Sequence, residues 1–285
     1  QVAEDGVDPF EGPLAVDTVV TTPYHIVTEG LVWGTSYVWR VWMDAPTGAE
    51  YHFSVIAVPE GVPAITLEVD DPERYQPGIT LFEKKIRNPP SHMSLAIDEN
   101  GDWVWLLENG GTDPTPLANG NFMMVRAHRI AEVTLDGEVL WESPEEYNIH
   151  HDMSVMPNGN VVGVFGETRE VEQNGELWDW SGDGLVEFDQ VANVVWSWNA
   201  FDYLSLDDYD QYLYDNFDPE GDRGFDWTHA NGCWYDPEED ALYMSIRHHS
   251  RVLKIDHATG DIIWTMGFPM QSGESDCGDD LFSWP

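Results

Sequence analysis

A repeated pattern that ends in tryptophan constrains the fold of this chain more than any other feature. An acidic or polar turn followed by an apolar strand occurs in residues 132–141, 186–196 and 253–264. Each segment closes on a tryptophan, and these tryptophans are 55 and 68 residues apart. Because internal repeats at such intervals are typical of stacked structural units, the pattern predicts a fold built from successive similar sheets.

Short β-branched and aromatic runs with turn signals between them make every repeat look like a set of four strands. The turn signals that precede the repeats lie at 98–101, 156–160 and 236–240. Asn-Gly between apolar runs is a strong hairpin signal, and four strands per repeat are typical of a propeller blade. We therefore predict an all-β fold with a β-propeller of three to four blades. Since three blades cannot close a ring, we expect the native chain to be longer. The alternative fold, an irregular β-sandwich in which the Trp spacing is fortuitous, stays open.

The region before the repeats indicates a separate domain. Its β-branched and aromatic runs are split by Pro and Gly turns, which predicts a small β-sandwich over 14–72. An acidic, Pro-containing stretch at 70–73 then marks a boundary. We predict an N-terminal extension over 1–13 and propeller blades over 73–285, truncated at the C-terminus.

The charge of the chain excludes several classes of partner. The 285 residues carry 12 Lys and Arg against 53 Asp and Glu, which gives a formal net charge of −41. Nucleic acids and anionic membrane surfaces are bound by clustered Lys and Arg, so neither is an expected partner. The 14 Trp, 11 Tyr and 11 Phe exclude a disordered acidic tail. An acidic surface is expected, and it suits saline surroundings because salt screens its self-repulsion.

No metal or cofactor is expected from the motifs. The two cysteines, Cys233 and Cys277, lack the paired spacing of a zinc site. Cys233 lies in an apolar stretch and is expected to be buried, whereas the pairing of Cys277 stays open. Residues 179–184 imitate the start of a calcium loop, but Gln190 stands where a bidentate Glu is required. We interpret 179–184 as a turn before a strand.

Two histidine motifs precede the first strand of successive repeats. They are His150-His151-Asp152 and His229-Ala230-Asn231. First strands line the axis of a propeller, so the two motifs would converge on one site. Asp152 and Asn231 can orient imidazole rings, and both are candidate substrate-binding residues. A single histidine near a turn is as often structural, but two at matching positions predict an axial site.

Arg247 follows His229 by 18 residues, at the end of the next strand. One hairpin separates the two, so both can face the same channel. A structural salt bridge to a nearby Asp is the plain interpretation of this arginine. The functional interpretation is an anion clamp, because a guanidinium matches sulfate, phosphate or carboxylate oxygens in a bidentate way.

At this point the residues resemble a known family. The run Asp226-Trp227-Thr228-His229-Ala230-Asn231, with 236–240, 245–248 and 252–264 after it, is similar to the signature blade of the bacterial arylsulfate sulfotransferases (ASST). The segment from His150 to Asn160 is similar to the preceding blade of that family. The resemblance extends over residues 149–267, and a small β-sandwich before the propeller is also a feature of the family.

The resemblance implies a six-bladed propeller that transfers a sulfuryl group without PAPS or another nucleotide sulfate donor. The group would pass from a phenolic sulfate ester to a phenol through a sulfurylated histidine. His229 and Arg247 match the sulfate-binding residues, with His248 beside them, and a further histidine falls on His150 or His151. The resemblance places the nucleophilic histidine after Pro285. It also implies a periplasmic or secreted protein, and a homodimer stays open.

Aromatic residues near these motifs are candidates for binding the aryl group. We expect Trp227, together with Tyr235 and Phe268, to be exposed and to stack on it. Two other functions remain open. One is a non-catalytic propeller that binds an anionic aromatic or glycan ligand, and the other is a hydrolase that uses water as the acceptor.

Overall fold

The structure is a computed structural model, which divides into two compact units, Gln1–Asp70 and Asp71–Pro285. The residues that it describes are 1–6, 8–19, 27, 30–43, 45–46, 49–59, 62, 65–66, 68, 71, 74, 76–87, 90–173, 175–218, 224–273 and 275–278. Residues 279–285, where a further repeat is expected to begin, lie outside the described part.

The first unit contains a four-stranded antiparallel sheet in the order β2-β1-β3-β6 and a β4-β5 hairpin. Its strands are β1 (Val2–Glu4), β2 (Leu14–Val16), β3 (Ser36–Trp39), β4 (Trp42–Met43), β5 (Ala45–Pro46) and β6 (Tyr51–Ser54). β1 comes from the predicted N-terminal extension, yet it pairs with β2 and β3, because Ala3 and Val38 bury their side chains completely. The sandwich itself stays a prediction.

The second unit consists of successive antiparallel sheets, and it confirms the all-β class. Its strands are β7 (Thr80–Arg87), β8 (Pro90–Ile97), β9 (Trp103–Leu107), β10 (Thr112–Pro116), β11 (Phe122–Arg126), β12 (Arg129–Val133), β13 (Val139–Glu142), β14 (Ile149–Val155), β15 (Val161–Gln173), β16 (Glu176–Phe188), β17 (Val194–Asn199), β18 (Phe225–Asp226), β19 (Ala230–Asp236), β20 (Ala241–Ile246), β21 (Arg251–Asp256) and β22 (Ile262–Gly267).

The strands follow one another as meanders. β7-β8-β9 form a three-stranded sheet, and β10-β11-β12-β13, β14-β15-β16-β17 and β19-β20-β21-β22 form three four-stranded sheets. β18 adds to the second of these by pairing in parallel with β16. Two short helices, α1 (Ala200–Tyr203) and α2 (Gln211–Asp215), and single helical turns at Pro9–Glu11 and Glu145–Tyr147 complete the described elements. None of the described helices is long and apolar enough to cross a membrane.

The sequence assigned the wrong turn to the first four-stranded sheet. The turn at 98–101 joins β8 to β9 and therefore belongs to the preceding three-stranded sheet. The sheet that contains Trp141 instead begins with a turn at 117–121, where the Leu117 amide donates to the Asn121 carbonyl at 2.8 Å. The same bond closes 156–160, from Met156 to Asn160, at 2.8 Å. Asn-Gly occupies the same place in both turns, at 119–120 and 158–159.

Apolar side chains between neighbouring sheets form the core. One cluster joins the β10–β13 sheet to the β14–β17 sheet and includes Ile130, Ile149 and Phe188. A second joins the β14–β17 sheet to the β19–β22 sheet and includes Trp198 and Leu253. Full burial of a side chain of this size contributes about 1.5–3 kcal/mol, so face-to-face packing of the sheets is the main source of stability.

The first strands of the three four-stranded sheets lie together, because β10 and β19 both contact β14. Each of them has an irregular register near its start. At these places Asp113, His151 and His229 have φ values of 52°, 60° and 49°. The left-handed region is rare for residues other than glycine, and such strained positions cluster at functional sites.

Candidate functional site

His229 precedes β19 and is held at both ring nitrogens. Its Nδ1 lies 2.5 Å from Oδ2 of Asp226, and its Nε2 lies 3.2 Å from Nη1 of Arg247. A guanidinium can only donate, so Nε2 accepts and Nδ1 donates its hydrogen to Asp226. The imidazole is therefore neutral in this arrangement. The sequence prediction that His229 and Arg247 lie together agrees with this geometry.

His248 forms the next wall of the site. Its Nδ1 donates to the Asp226 carbonyl at 2.6 Å, and its ring centroid is 4.6 Å from that of His229. Burial lowers the pKa of His248 below its ordinary value, despite the opposing effect of Asp226. This histidine is therefore a neutral wall of the site near pH 7.

His150 is paired with a buried carboxylate that the sequence analysis missed. Its Nε2 lies 3.0 Å from Oδ1 of Asp183, which is 7% exposed. The other Asp183 oxygen accepts from the Thr228 hydroxyl and the Ala230 amide, both at 2.6 Å. Asp183 thus ties His150 to the segment that carries His229.

The interpretation of 179–184 as a turn is wrong. These residues lie inside β16, where each of them pairs with β15. Gly182 and Gly184 flank Asp183, and a Cβ at either position would come within 2.6 Å of a neighbouring atom. A carboxylate between two glycines, directly before the apolar pair Leu185 and Val186, is the sequence signal that could have indicated the buried Asp183.

His151 is the most accessible histidine of the group. Its ring centroid lies 5.2 Å from that of His150 and 6.1 Å from that of His229. Partial burial and the neighbouring imidazoles lower the pKa of His151. The sequence left the choice between His150 and His151 open, and the structure brings both to the same cavity, with His150 paired and His151 exposed.

Three of these histidines line a cavity of about 700 Å³, whereas Arg247 and His248 contact His229 without lining it. Among the described residues, the lining consists of polar side chains, glycine and alanine, without any Phe, Tyr, Trp, Leu, Ile or Val. It includes His150, His151, Thr168, Ser181, Asp183 and His229. Such a lining suits an anionic or strongly hydrogen-bonding group.

Asp152 lies beneath this group and binds backbone. Its Oδ1 accepts from the Met153 amide at 2.9 Å, and its Oδ2 accepts from the Cys233 amide at 2.8 Å, which joins β14 to β19. Burial raises the pKa of Asp113 to about 7, and the hydrogen bond and charge of Asp152 add to that effect. Asp152 is therefore placed as a positioning residue rather than a substrate ligand.

Two further predicted ligands do not line the cavity. Asn231 is exposed in the irregular start of β19. The expectation that Trp227 is exposed is wrong, because its side chain is fully buried and its Nε1 donates to the Asp208 carbonyl at 2.6 Å. Packing against Trp180 and Phe201 covers the ring, so it cannot stack on a substrate. Tyr235 is half-buried and bonds to Asp240, whereas Phe268 is 48% exposed.

One set of side chains in the described part of the chain could hold a metal ion. The ligand atoms of Asp226, His229 and His248 lie within 4.8 Å of one another. Both imidazole Nδ1 atoms already donate hydrogens to Asp226. A metal ion bound at these Nδ1 atoms would have to replace those hydrogens, so that mode of metal binding and this hydrogen-bonded arrangement exclude each other.

The two cysteines are both free thiols. Cys233 is buried as expected, and burial raises its pKa well above the ordinary value. Cys277 is exposed. Neither thiol belongs to the cluster of histidines.

The fold and the site together define an all-β protein of repeated antiparallel sheets with a polar pocket lined by histidines, one of which contacts an arginine. Residues 65–276 match the model of the family described as Arylsulfotransferase (ASST). The chain therefore belongs to the arylsulfotransferase family, as the sequence motifs predicted.

Other comparisons add little. The chain is similar to a solved structure from Bacteroides caccae, a protein of unknown function, at 11% identity. The alignment covers 81% of this chain and 77% of that chain, with a TM-score of 0.38, and a likeness at this level carries no argument. A search of curated proteins gave no match.

Proposed function

We propose that this protein transfers a sulfuryl group from a phenolic sulfate ester to a phenol, without a nucleotide sulfate donor. The family supports aryl sulfotransfer in general terms. The observation that carries the proposal for this chain is the 3.2 Å contact between Arg247 Nη1 and His229 Nε2, with Asp226 behind the imidazole. The contact supports the proposal because His229 lines the polar cavity and has a guanidinium donor directly beside its imidazole.

The same contact indicates how an anion would bind. When Nε2 of His229 takes up a proton, it can no longer accept the hydrogen bond from Arg247. The imidazolium and the guanidinium are then two neighbouring cationic donors. Both can then donate to sulfate oxygens, while Asp226 stabilises the imidazolium. Sulfuryl transfer, like phosphoryl transfer, spreads charge over equatorial oxygens, so such donors stabilise the transition state.

The transfer divides into two steps if a histidine carries the group. A neutral imidazole nitrogen attacks sulfur, the S–O bond to the aryl group breaks, and the leaving phenolate takes the proton from the other nitrogen of that imidazole. The oxygen of the acceptor phenol then attacks the same sulfur as the N–S bond breaks, and the phenol proton passes to the imidazole, which regenerates the neutral histidine. Peptide mapping after reaction with 4-nitrophenyl sulfate in the absence of a phenol identifies the histidine that carries the group.

The experiment that tests the proposal is turnover of 4-nitrophenyl sulfate with and without added phenol. Arg247→Ala and His229→Ala should lose phenol-dependent release of 4-nitrophenol. Arg129→Ala is the matched control, since Arg129 bonds to Glu142 and Glu145 rather than to a histidine of the site. Release that does not depend on phenol would favour a hydrolase, and no release from the folded full-length protein would exclude the enzyme.

A second candidate is a non-catalytic protein that binds an anionic ligand such as a sulfated glycan. The polar lining of the larger cavity favours it, because hydroxyl-rich ligands need hydrogen-bond partners rather than apolar walls. Binding of a sulfated glycan without any turnover of aryl sulfates would support this alternative.

The remaining expectations also stand as proposals. The repeated meanders are consistent with propeller blades, with the first strands at the axis. A periplasmic or secreted location rests on the likeness to the family alone. A small-angle scattering profile tests the first, and fractionation of the native host tests the second.

A further inference from the structure

We propose that the aromatic ring of the substrate binds in a second cavity beside His248, with Phe268 and Tyr209 as its apolar walls. This inference rests on the proposed function, since it assigns a place to the aryl group of the same reaction. The cavity measures about 390 Å³ and is distinct from the polar cavity around His229. A single aromatic ring fits in this volume.

His248 connects the two cavities. It lines the second cavity, while its Nδ1 is fixed to Asp226 and its ring lies 4.6 Å from that of His229. Asp226 and His229 line the first cavity. His248 is therefore the one side chain that an aryl ester must pass if its sulfate lies beside His229 and its ring lies in the second cavity.

The linings of the two cavities differ in chemistry. The described lining of the polar cavity contains no Phe, Tyr or Trp on which an aryl ring could stack. The second cavity has both Tyr209 and Phe268 in its lining, with Pro269 and Met270 beside polar residues such as Asp210, Gln211 and Gln271. Phe268 leaves 48% of its surface exposed there, and a stacked ring would cover it. The division suits a molecule with one anionic end and one aromatic end.

The walls of the second cavity are held in place by a buried ion pair. Arg251 Nε donates to the Phe268 carbonyl at 2.8 Å, and its Nη1 lies 3.3 Å from Oδ2 of Asp208. Asp208 also accepts from the Ser272 amide at 2.7 Å. Arg251 and Asp208 are 8% and 3% exposed, so this frame fixes both Phe268 and the adjacent Tyr209 before any ligand binds.

A buried polar atom at the same cavity also lacks a partner. His249 lines it, is 2% exposed, and its Nε2 has no hydrogen bond within the described structure. Burial lowers the pKa of His249 to about 4, so the ring is neutral at physiological pH. An unpaired buried nitrogen is costly, and this one lies in a residue that lines the proposed ring site.

The test measures binding of 4-nitrophenol and of inorganic sulfate separately, by calorimetry on the whole chain. Phe268→Ala should weaken 4-nitrophenol binding by about tenfold, because one stacking surface is lost, and leave sulfate binding within about twofold. Phe268→Tyr should retain binding. Tyr212→Ala is the matched control, since Tyr212 is 74% exposed and lines neither cavity.

The outcomes separate this inference from the proposed function. Unchanged 4-nitrophenol binding by Phe268→Ala, or an equal loss in Tyr212→Ala, overturns the second cavity as the ring site even if turnover is normal. Binding of 4-nitrophenol that depends on Phe268 supports the site even if the protein shows no turnover, in which case only the proposed function fails.

Discussion

The Nε2 atom of His150 lies 3.0 Å from Oδ1 of Asp183, a residue 33 positions further along the chain. The second oxygen of the same carboxylate binds Thr228 and the amide of Ala230. One buried side chain thus fixes the two histidine motifs relative to each other, and its role can be tested directly.

Asp183→Asn should destabilise the fold and weaken anion binding together. An amide cannot accept at all the positions that this carboxylate uses, and an unsatisfied buried donor costs about 1–3 kcal/mol. Urea unfolding and sulfate titration measure the two effects. Asp179→Asn, at an exposed position of the same strand, should change neither. Equal behaviour of the two variants would contradict the role of Asp183.

Sulfate binding should be linked to proton uptake at His229. In the free protein its Nε2 accepts from Arg247, so an anion can use that nitrogen as a donor only after it gains a proton. Calorimetry in buffers of different ionisation enthalpy should therefore show proton uptake when sulfate binds. Asp226→Asn should weaken binding, because it removes the charge that stabilises the imidazolium. Binding without proton uptake would argue against this mode.

Arg247→Lys should not restore the function that Arg247→Ala loses. Lysine keeps the charge but lacks the planar pair of donors, so kcat/KM for an aryl sulfate should fall by at least about tenfold. Arg129→Lys should leave kcat/KM unchanged, because Arg129 contacts only Glu142 and Glu145 among the described acids. Full activity in Arg247→Lys would mean that only a positive charge is required.

The stability contributed by His257, which links two sheets, should depend on pH. His257 contacts Glu187 and Asp240 at 2.8 Å through its two ring nitrogens, and although burial opposes it, these hydrogen bonds raise the pKa of His257. A pKa that is higher in the folded state gives stability that is complete at low pH and is lost as pH rises through it. The free energy of unfolding of His257→Gln should therefore fall below that of wild type at pH 6, with a smaller difference at pH 9. His52→Gln, at an exposed pair in the other unit, is the control.

The effect of pH on stability that arises from Asp113 should be opposite to that of an ordinary carboxylate. Its pKa is raised from 3.8 to about 7, so the folded chain binds a proton that the unfolded chain releases, and stability falls as pH rises through this window. Asp113→Asn should be more stable than wild type at pH 8 and similar to it at pH 4. Parallel pH profiles of the two proteins would show that Asp113 ionises normally.

Local patterns in the sequence predicted most of the repeated sheets. The Asn158-Gly159 turn and the strands that contain Trp141, Trp196 and Trp264 depend on neighbouring residues, so they can be recognised from short segments. The error at 98–101 arose because two consecutive turns looked alike, and only pairing of whole strands shows which sheet each one joins.

The site was partly predictable for the same reason. His229 and Arg247 belong to one hairpin, whose spacing is visible in the sequence. Asp183 was missed because its partners lie 33 to 47 positions away and its Gly-Asp-Gly setting imitates a turn. Trp227 was misplaced because burial depends on Trp180 and Phe201, which reach it from other parts of the fold.

The left-handed backbone at His151 and His229 has a consequence for any effort to engineer this protein. Glycine adopts such dihedral angles without strain, so His151→Gly and His229→Gly relax the backbone at the cost of the imidazole. A screen that rewards only resistance to heat would tend to remove these two side chains first. Directed evolution of this fold should therefore select for ligand binding at every round. Otherwise thermal stability will be gained through loss of the histidines that line the pocket.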